Sequence, residues 1–377
     1  MKVVHIITGL NNGGAEGVLY RLVTNDKKNQ HIVISLMGEG KYGPLLVLNN
    51  IKTYYLELSR GKLSLSPIVI LNKIIKNEKP EVVQTWMSHA DLIGGLVSKL
   101  SGHKNIIWNI RHSNLTFRVS NIKTNAVVMT CMAMSKIIPK NIICCSEKTY
   151  KDYGGRGYPK SKMTVISNGY DFEKFNTDTE ARDKIRKELN IADDTNLLGM
   201  VARYDPNKNH HGLLRALKLV KTRNNNFQTI LVGRDLNGNN ESIKTLIKEL
   251  ELEDHVVLLD QRSDIPSIMN ALDIHILSSI SGEGFPNVLA EAMACGTLCI
   301  ATNTGDSKVI IDDYGWIVEP NDDRSLSDAI LNALKLKENS TVWSKKQRLA
   351  KEHIISNFSL SLMIDKYNNV WESSQNS

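Results

Sequence analysis

The sequence lacks several features that would assign it a class at once. It has five cysteines in 377 residues, Cys131, Cys144, Cys145, Cys295 and Cys299, an odd number with no C-x-x-C pair. All five fall in apolar surroundings, so neither a disulfide framework nor a zinc site is expected, and a reducing compartment follows. No D-x-D triplet occurs, so the sequence gives no sign of a carboxylate-held metal. No stretch reaches the roughly 18 uninterrupted apolar residues of a spanning helix, so the chain is not expected to be integral to a membrane. The first residues, MKVVHIITGLNNGGAEG, contain one lysine, a short apolar run and no small-residue cleavage pattern, and no secretory signal is expected. Acid is scarce in one half only. Residues 1–172 carry 23 Lys and Arg against 10 Asp and Glu, while residues 173–377 carry 24 against 30. The first half is therefore suited to something anionic: nucleic acid, an acidic membrane surface or a phosphorylated substrate.

The length suggests two or three domains. Short β-rich runs at Val3–Thr8, Ile32–Leu36, Val82–Thr85, Ile106–Ile110 and Ile142–Cys145 alternate with helical patterns near Ala15–Thr24, Ser66–Lys76 and Ala90–Leu100. After the polar stretch Asp171–Asn196 the pattern restarts, with strands expected at Leu197–Ala202, Gln228–Val232, Val256–Leu259, Ile274–Leu277 and Leu298–Ala301. Such alternation predicts an α/β chain of two Rossmann-like, doubly wound domains, whose ligands sit at the carboxyl ends of the strands. We place the first domain at residues 1–172 and the second at 173–355. Residues 356–377 are expected to be a helical tail that packs back elsewhere.

Three stretches carry candidate chemistry. In SGEGFPNVLAEAMACG, Pro286 suits the first turn of a helix and Gly296 the position past its end, so Asn287–Cys295 reads as a short, almost wholly apolar helix. Glu283 lies in the loop before it and Glu291 within it, on different faces, so the two read as separate contacts on one ligand at the helix N-terminus. The plain alternative is a solvated loop charge and a half-buried helix acid. Gly9-Leu-Asn-Asn-Gly13-Gly14 follows a strand and opens a helix, a context for cradling phosphate; its spacing is not G-x-G-x-x-G and no acid ends the next strand, which disfavours a nicotinamide site. Arg203 and Lys208, in ARYDPNKN, stand in a strand-to-helix loop, two cations where departing phosphate charge would be met without a metal. His112, after the strand ending at Ile110, would open into the same cleft, with His89 a weaker candidate of the same kind.

Together these residues resemble the retaining nucleotide-sugar glycosyltransferases of the GT-B fold, in particular glycosyltransferase family 4. The resemblance rests on Glu283 and Glu291 in EGFPNVLAEAMACG, which look like its E-x7-E motif, on GLNNGGAE, on VISNGYDFEKF, on ARYDPNKN and on ALDIHILSS. It implies two domains facing a cleft, with an acceptor-binding first domain and a donor-binding second. It implies that Arg203 and Lys208 hold the donor pyrophosphate, helped by the Gly13–Gly14 loop and by Gly284, Phe285, Pro286, Asn287 and Val288 at the helix start. Glu291 would hold the ribose, Glu283 the transferred sugar, and His112 would lie near sugar and acceptor. Tyr170, where the family usually has valine, and Tyr204-Asp205 depart from the pattern. The implied activity is a metal-independent transfer from UDP-hexose or UDP-N-acetylhexosamine to a lipid-linked, polyprenyl diphosphate glycan in surface polysaccharide assembly, such as O-antigen, lipopolysaccharide or capsule.

The implied location is the cytoplasm, peripheral at the inner face of the cytoplasmic membrane. Two alternatives remain open at this point: a sugar-nucleotide epimerase of the same fold, and a nucleic-acid-binding module. The E-x7-E motif and NGYD count against the first; scattered lysines without interleaved aromatics, and the lack of a recognition-helix or RNP-like signature, count against nucleic acid. Residues 115–143, rich in methionine and aliphatics and carrying Arg118, Lys123, Lys136 and Lys140, read either as an interfacial membrane segment or as a buried crossover helix.

Overall fold

The structure, a computed structural model, describes residues 1–58, 65–111 and 122–376. It divides the chain into two compact units, Met1–Gly169 with Leu360–Ser377, and Tyr170–Ser359. The first boundary falls three residues before the expected one. The helix Ser340–Phe358 stays with the second unit, and the chain returns to the first only for the helix Leu360–Asn376.

The first unit is built on a seven-stranded, wholly parallel sheet: β1 (Lys2–Ile7), β2 (Gln30–Ser35), β3 (Lys52–Tyr55), β4 (Val82–Trp86), β5 (Ile106–Ile110), β6 (Asn141–Cys144) and β7 (Met163–Val165), in the order β3-β2-β1-β4-β5-β6-β7. A sheet covered on both faces asks for near-continuous apolar strands, and KVVHII and IIWNI come close, each interrupted in its interior by one buried polar residue, His5 or Asn109. Val3, Ile7, Val33, Val82, Trp86, Ile107 and Ile143 point to one side, under the helices Gly14–Asn25 and Leu360–Asn376. Val4, Ile6, Ile32, Ile34 and Val83, then Ile106, Trp108 and Ile142, point to the other, under Leu65–Glu78, Ser88–Leu100 and Ile122–Met134.

The last helix is held by buried polar bonds as well as by area. Trp371 Nε1 donates to Gln84 Oε1 at 2.5 Å, and Asn109 Nδ2 donates to the Tyr367 phenol oxygen at 2.8 Å. Beneath it runs a relay that neutral imidazoles satisfy. Trp86 Nε1 donates to His5 Nδ1 (3.2 Å), His5 Nε2 to His31 Nδ1 (3.0 Å), and His31 Nε2 to Asp26 Oδ2 (3.1 Å). Burial first, then the neighbouring His31, holds His5 well below the usual histidine range.

The second unit has a six-stranded parallel sheet: β8 (Asn196–Val201), β9 (Phe227–Val232), β10 (Val256–Leu258), β11 (Ile274–Leu277), β12 (Leu298–Thr302) and β13 (Trp316–Val318), in the order β10-β9-β8-β11-β12-β13. The strand order reverses between β8 and β11, which pair in parallel through Ile274 with Leu198 and His275 with Gly199. Crossovers on the two sides of such a reversal leave on opposite faces, and a crevice opens at the carboxyl ends of the two strands. The polar boundary stretch contributes a helix of its own, Thr179–Glu188, whose Asp178 cap accepts from the Ala181 amide.

Candidate functional site

The loops that leave β8 and β11 meet at this reversal. After β8 the chain runs through Arg203 and a 3-10 turn, Pro206–Lys208, into the helix His210–Lys221. Asp205 caps the turn by accepting from the Asn207 amide at 2.9 Å, and Asn209, in a left-handed conformation (φ 55°), caps the helix by accepting from the Gly212 amide at 3.0 Å. After β11, Ser278 Oγ donates to the carbonyls of Lys208 and Asn209 at 3.0 and 3.1 Å, the Ile280 amide to the Asn207 carbonyl at 2.8 Å, and Ser281 Oγ to Asn207 Oδ1 at 2.8 Å. The two loops are thus sewn into one rigid wall.

On that wall Lys208 Nζ donates to Glu283 Oε1 at 2.6 Å, and Ser279 Oγ donates to the same oxygen, also at 2.6 Å. The lysine side chain is 21% exposed and the carboxylate 9%. Burial at this level removes most of the screening that makes surface pairs weak. Arg203 is held differently: its Nε and Nη2 donate to Asp205 Oδ2 at 3.2 and 3.0 Å, while more than half of its side chain stays in solvent. Aspartate at this departure from the family pattern therefore shapes the turn and orients the arginine. Sequence reasoning placed Arg203 and Lys208 as two cations of the loop; it missed Ser279 and the role of Asp205.

The helix after Glu283 runs from Asn287 to Ala294, with Pro286 at its cap and Cys295 and Gly296 (φ 84°) ending it. Pro286 stands one position earlier than its expected place in the first turn, because its backbone is extended (ψ 95°). No side chain caps the helix among the described residues, so its first amides are disposed to take an anion. Glu283 and Gly284 are pinned from behind: the Asp306 amide donates to the Gly284 carbonyl at 2.9 Å. A side chain at Gly305, whose φ is +56°, would come within 2.5 Å of that carbonyl. Phe285 is buried, with its ring 6.2 Å from Tyr170 and 5.3 Å from Phe358, and Val288 is half-buried. Tyr170, the second departure, donates its phenol hydrogen to Asn287 Oδ1 at 2.5 Å, so it braces the first residue of the helix. Glu291 is half-buried further along. Burial first and the Glu291 carboxylate second push the Cys295 thiol up to about 12. Glu283 and Glu291 thus keep different company, as their spacing requires.

The remaining candidates belong to the first unit. Gly13 caps the helix Gly14–Asn25 without a side-chain bond, and a side chain at 13 would strike the Glu16 carboxylate folded over it. Burial pushes the Glu16 carboxyl above its ordinary range, against the opposing bond from its own amide and the charge of Arg111. His89 is exposed on the first turn of Ser88–Leu100. His112 lies outside the described residues, as do Arg118 and the side chain of Lys123. Within 115–143 the described part is a covering helix, with Val128, Cys131 and Ile138 buried. Lys140 is spent on the Ser374 carbonyl (2.5 Å), and Lys136 stays exposed. Among the described residues no group of three His, Cys, Asp or Glu is placed to hold a metal, and no helix is long and apolar enough to cross a membrane.

Residues 12–174 match the family model described as Glycosyltransferase Family 4, and residues 181–350 match Glycosyl transferases group 1. The chain is 25% identical, over 81% of its length and 78% of the relative's, to an Escherichia coli UDP-Gal:alpha-D-GlcNAc-diphosphoundecaprenol alpha-1,3-galactosyltransferase. It is 27% identical, over 81% and 80%, to the capsular polysaccharide biosynthesis glycosyltransferase CapM of Staphylococcus aureus. Among solved structures it resembles Anabaena HepE in complex with UDP, with a TM-score of 0.86, 20% identity and coverage of 99% of this chain and 100% of that one; at this identity the likeness speaks for the fold. The two parallel sheets with their central reversals are those of GT-B proteins. Two family models that between them take up nearly the whole chain lead to one assignment: the protein is a glycosyltransferase, made of a Glycosyltransferase Family 4 domain followed by a group 1 domain.

Proposed function

We propose that this glycosyltransferase moves a sugar, with retention of anomeric configuration and without a metal ion, from a UDP-sugar to a lipid-linked glycan in the assembly of a bacterial surface polysaccharide. The observation that carries the donor half of this reading is the Lys208–Glu283–Ser279 cluster at the β8/β11 reversal, beside a helix with no side-chain cap. The acceptor half is supported by relatives. The E. coli enzyme is named for a diphosphoundecaprenol acceptor, as is a Campylobacter jejuni relative, 30% identical over 36% of this chain. UDP and UDP-glucose occupy the Anabaena structures.

In this reading the donor diphosphate meets Lys208, Arg203 and the amides from Gly284 to Val288, with the Gly13–Gly14 loop helping. The leaving group's charge is then balanced by two cations and a helix N-terminus, so a metal ion is not needed. Glu291 takes the ribose hydroxyls, Glu283 the hydroxyls of the transferred sugar, and His112 lies near sugar and acceptor. The bond from the anomeric carbon to the phosphate oxygen breaks, the acceptor hydroxyl bonds to that carbon from the same face, and its proton passes to the departing phosphate oxygen. Catalysis is then positioning and charge stabilisation, which suits a site holding cations and glycines. The first unit, which carries the excess of basic charge, takes the anionic acceptor at the inner face of the cytoplasmic membrane.

A thermal-shift panel of nucleotides and nucleotide sugars tests the donor, since a ligand at 100 times its dissociation constant stabilises by about 2.7 kcal/mol. The anomeric coupling constant of the product, read by NMR, tests retention: an inverted product refutes it. Activity is expected to survive EDTA; loss that manganese restores would refute metal independence.

A further inference from the structure

The first sheet reverses its strand order between β1 and β4, as the second does between β8 and β11. β1 pairs in parallel with β2 on one side and with β4 on the other, so a crevice opens at the carboxyl ends of β1 and β4. The backbone there is strained. Met87, the residue after β4, has φ 71° and ψ 154°, a region costly for any residue with a side chain, and its amide is held by the Asn109 carbonyl at 3.1 Å. Trp86 lies opposite Asn109 where β4 pairs with β5, and Arg111 follows just past the end of β5.

Arg111 is fixed from several elements at once. Its guanidinium carbon sits 5.6 Å from the centre of the Trp86 ring, and its Nη2 donates to Asn168 Oδ1, from the segment after β7. Trp86 is itself stacked on Tyr367, with ring centres 6.1 Å apart and planes 16° from parallel, and the Tyr367 phenol oxygen accepts from Asn109. Yet Arg111 Nε and Nη1 are shut off from water with no acceptor in reach. Glu16, the acid whose charge it feels, stays folded over Gly13 and bonds its own amide instead. The buried Arg186 of the second unit shows what a structural arginine looks like: it donates to the carbonyls of Ala192 and Thr195, both at 2.7 Å, and pairs with Asp273 at 3.6 Å. Buried donors left unmet cost the free protein stability, because they forfeit water without a replacement. Arg111 as a whole is only half-buried, so an incoming oxyanion has a way to it. Its planar set of N–H groups matches phosphate oxygens.

We infer that Arg111 is an acceptor-binding residue, whose guanidinium takes a phosphate group of the acceptor's diphosphate on the floor made by Trp86 and Tyr367, with Asn168 as its positioning residue. The inference rests on the proposed function for the identity of the anion. The unmet donors and the strained Met87 are then features kept for a ligand, at some expense to the free fold.

The probe is inorganic pyrophosphate, titrated by calorimetry into the full chain with UDP saturating, so that the donor's own phosphate contacts are filled. The parent is expected to bind it, and Arg111→Met to bind it roughly 10- to 100-fold more weakly. Arg111→Lys, which keeps the charge without the planar fork, should fall between the two, and UDP affinity should be the same in all three. Asn168→Ala should weaken pyrophosphate severalfold with UDP affinity unchanged; an unchanged pyrophosphate affinity would overturn its positioning role. Without ligand, Arg111→Met should melt within about 3 °C of the parent, since the unmet donors leave with the charge. A parent that takes no pyrophosphate, an Arg111→Met variant that binds it as tightly as the parent, or one that melts far below the parent overturns the inference. Loss of UDP affinity in Arg111→Met would make the anion the donor's and overturns it as well. If UDP does not bind, the proposed donor falls, and the Arg111 variants are compared in pyrophosphate alone. A protein that binds pyrophosphate through Arg111 but transfers no sugar to any diphosphate-linked acceptor leaves the anion site standing and refutes the proposed function.

Discussion

Glu283 does two jobs in this structure that a single substitution can separate. Its Oε1 accepts from both Lys208 Nζ and Ser279 Oγ at 2.6 Å, at 9% exposure. Glu283→Gln keeps the volume and an acceptor oxygen for Ser279 but leaves the Lys208 ammonium, 21% exposed, without its counter-charge. A hydrogen bond to a charged group contributes about 1.5–3 kcal/mol, and a fully buried pair broken on one side costs about 3–5 kcal/mol. Lys208 still reaches some water, so the expected cost is about 1–3 kcal/mol, a fall of roughly 2–12 °C in the melting of a unit of this size. The double-mutant cycle with Lys208→Met isolates the pair, because the methionine removes the charge that glutamine strands. The double variant should be more stable than the sum of the singles predicts by about 1–3 kcal/mol. The same variant tests function: turnover should fall while UDP affinity, read by titration calorimetry, stays within a few-fold. A coupling below about 0.5 kcal/mol would show that the pair is not a unit. A Glu283→Gln enzyme that binds UDP far more weakly would refute the assignment of Glu283 to the transferred sugar.

Other expectations follow from the same geometry. Glu291→Gln should weaken UDP binding itself, and equal losses of UDP affinity in the two glutamate variants would refute the division of roles. Arg203→Ala should cost on the order of 2–4 kcal/mol of transition-state stabilisation, measured as kcat/KM, with little change in melting because the side chain is mostly exposed. Acid should destabilise the fold early. Burial alone lowers His275 to about 3, and burial first lowers His210 to about 4, against an ordinary 6.5; His5 is lowered too. The unfolded chain therefore takes up these protons first, so stability is present above about pH 6.5 and falls as pH drops towards 4. Asp91, raised to about 8 by burial, works the other way, being protonated only in the folded state over that range, so a net uptake of roughly two protons on unfolding is expected from denaturant melts across pH. A flat profile would refute the neutral buried imidazoles. Trp371→Ala should cost about 3–5 kcal/mol and expose the helix Leu360–Asn376 to hydrogen exchange, whereas protection equal to the parent's would show that the helix is held without it.

Much of the architecture was legible in the order of residues. Largely apolar runs such as KVVHII, bounded by turn residues and separated by helical periodicity, announce two parallel sheets, because a strand covered on both faces must be mostly apolar. Pro286 and Gly296 bracket their helix through local backbone chemistry, and Glu283 falls in the loop for the same reason. The strands that escaped notice, β3, β7 and β13, are three or four residues long and edge or partly exposed, so they lack the continuous apolar signal. Partner choice was not legible. Lys208 and Glu283 are 75 residues apart and meet because the strand order reverses between β8 and β11. The phenol of Tyr170 finds Asn287 across 117 residues, and Trp371 finds Gln84 across 287. Local pattern sets which segments are strands, helices and turns, since those depend on neighbours within a few residues. Which side chains share a site depends on how whole strands are ordered in a sheet, and that order is decided only when the entire core packs.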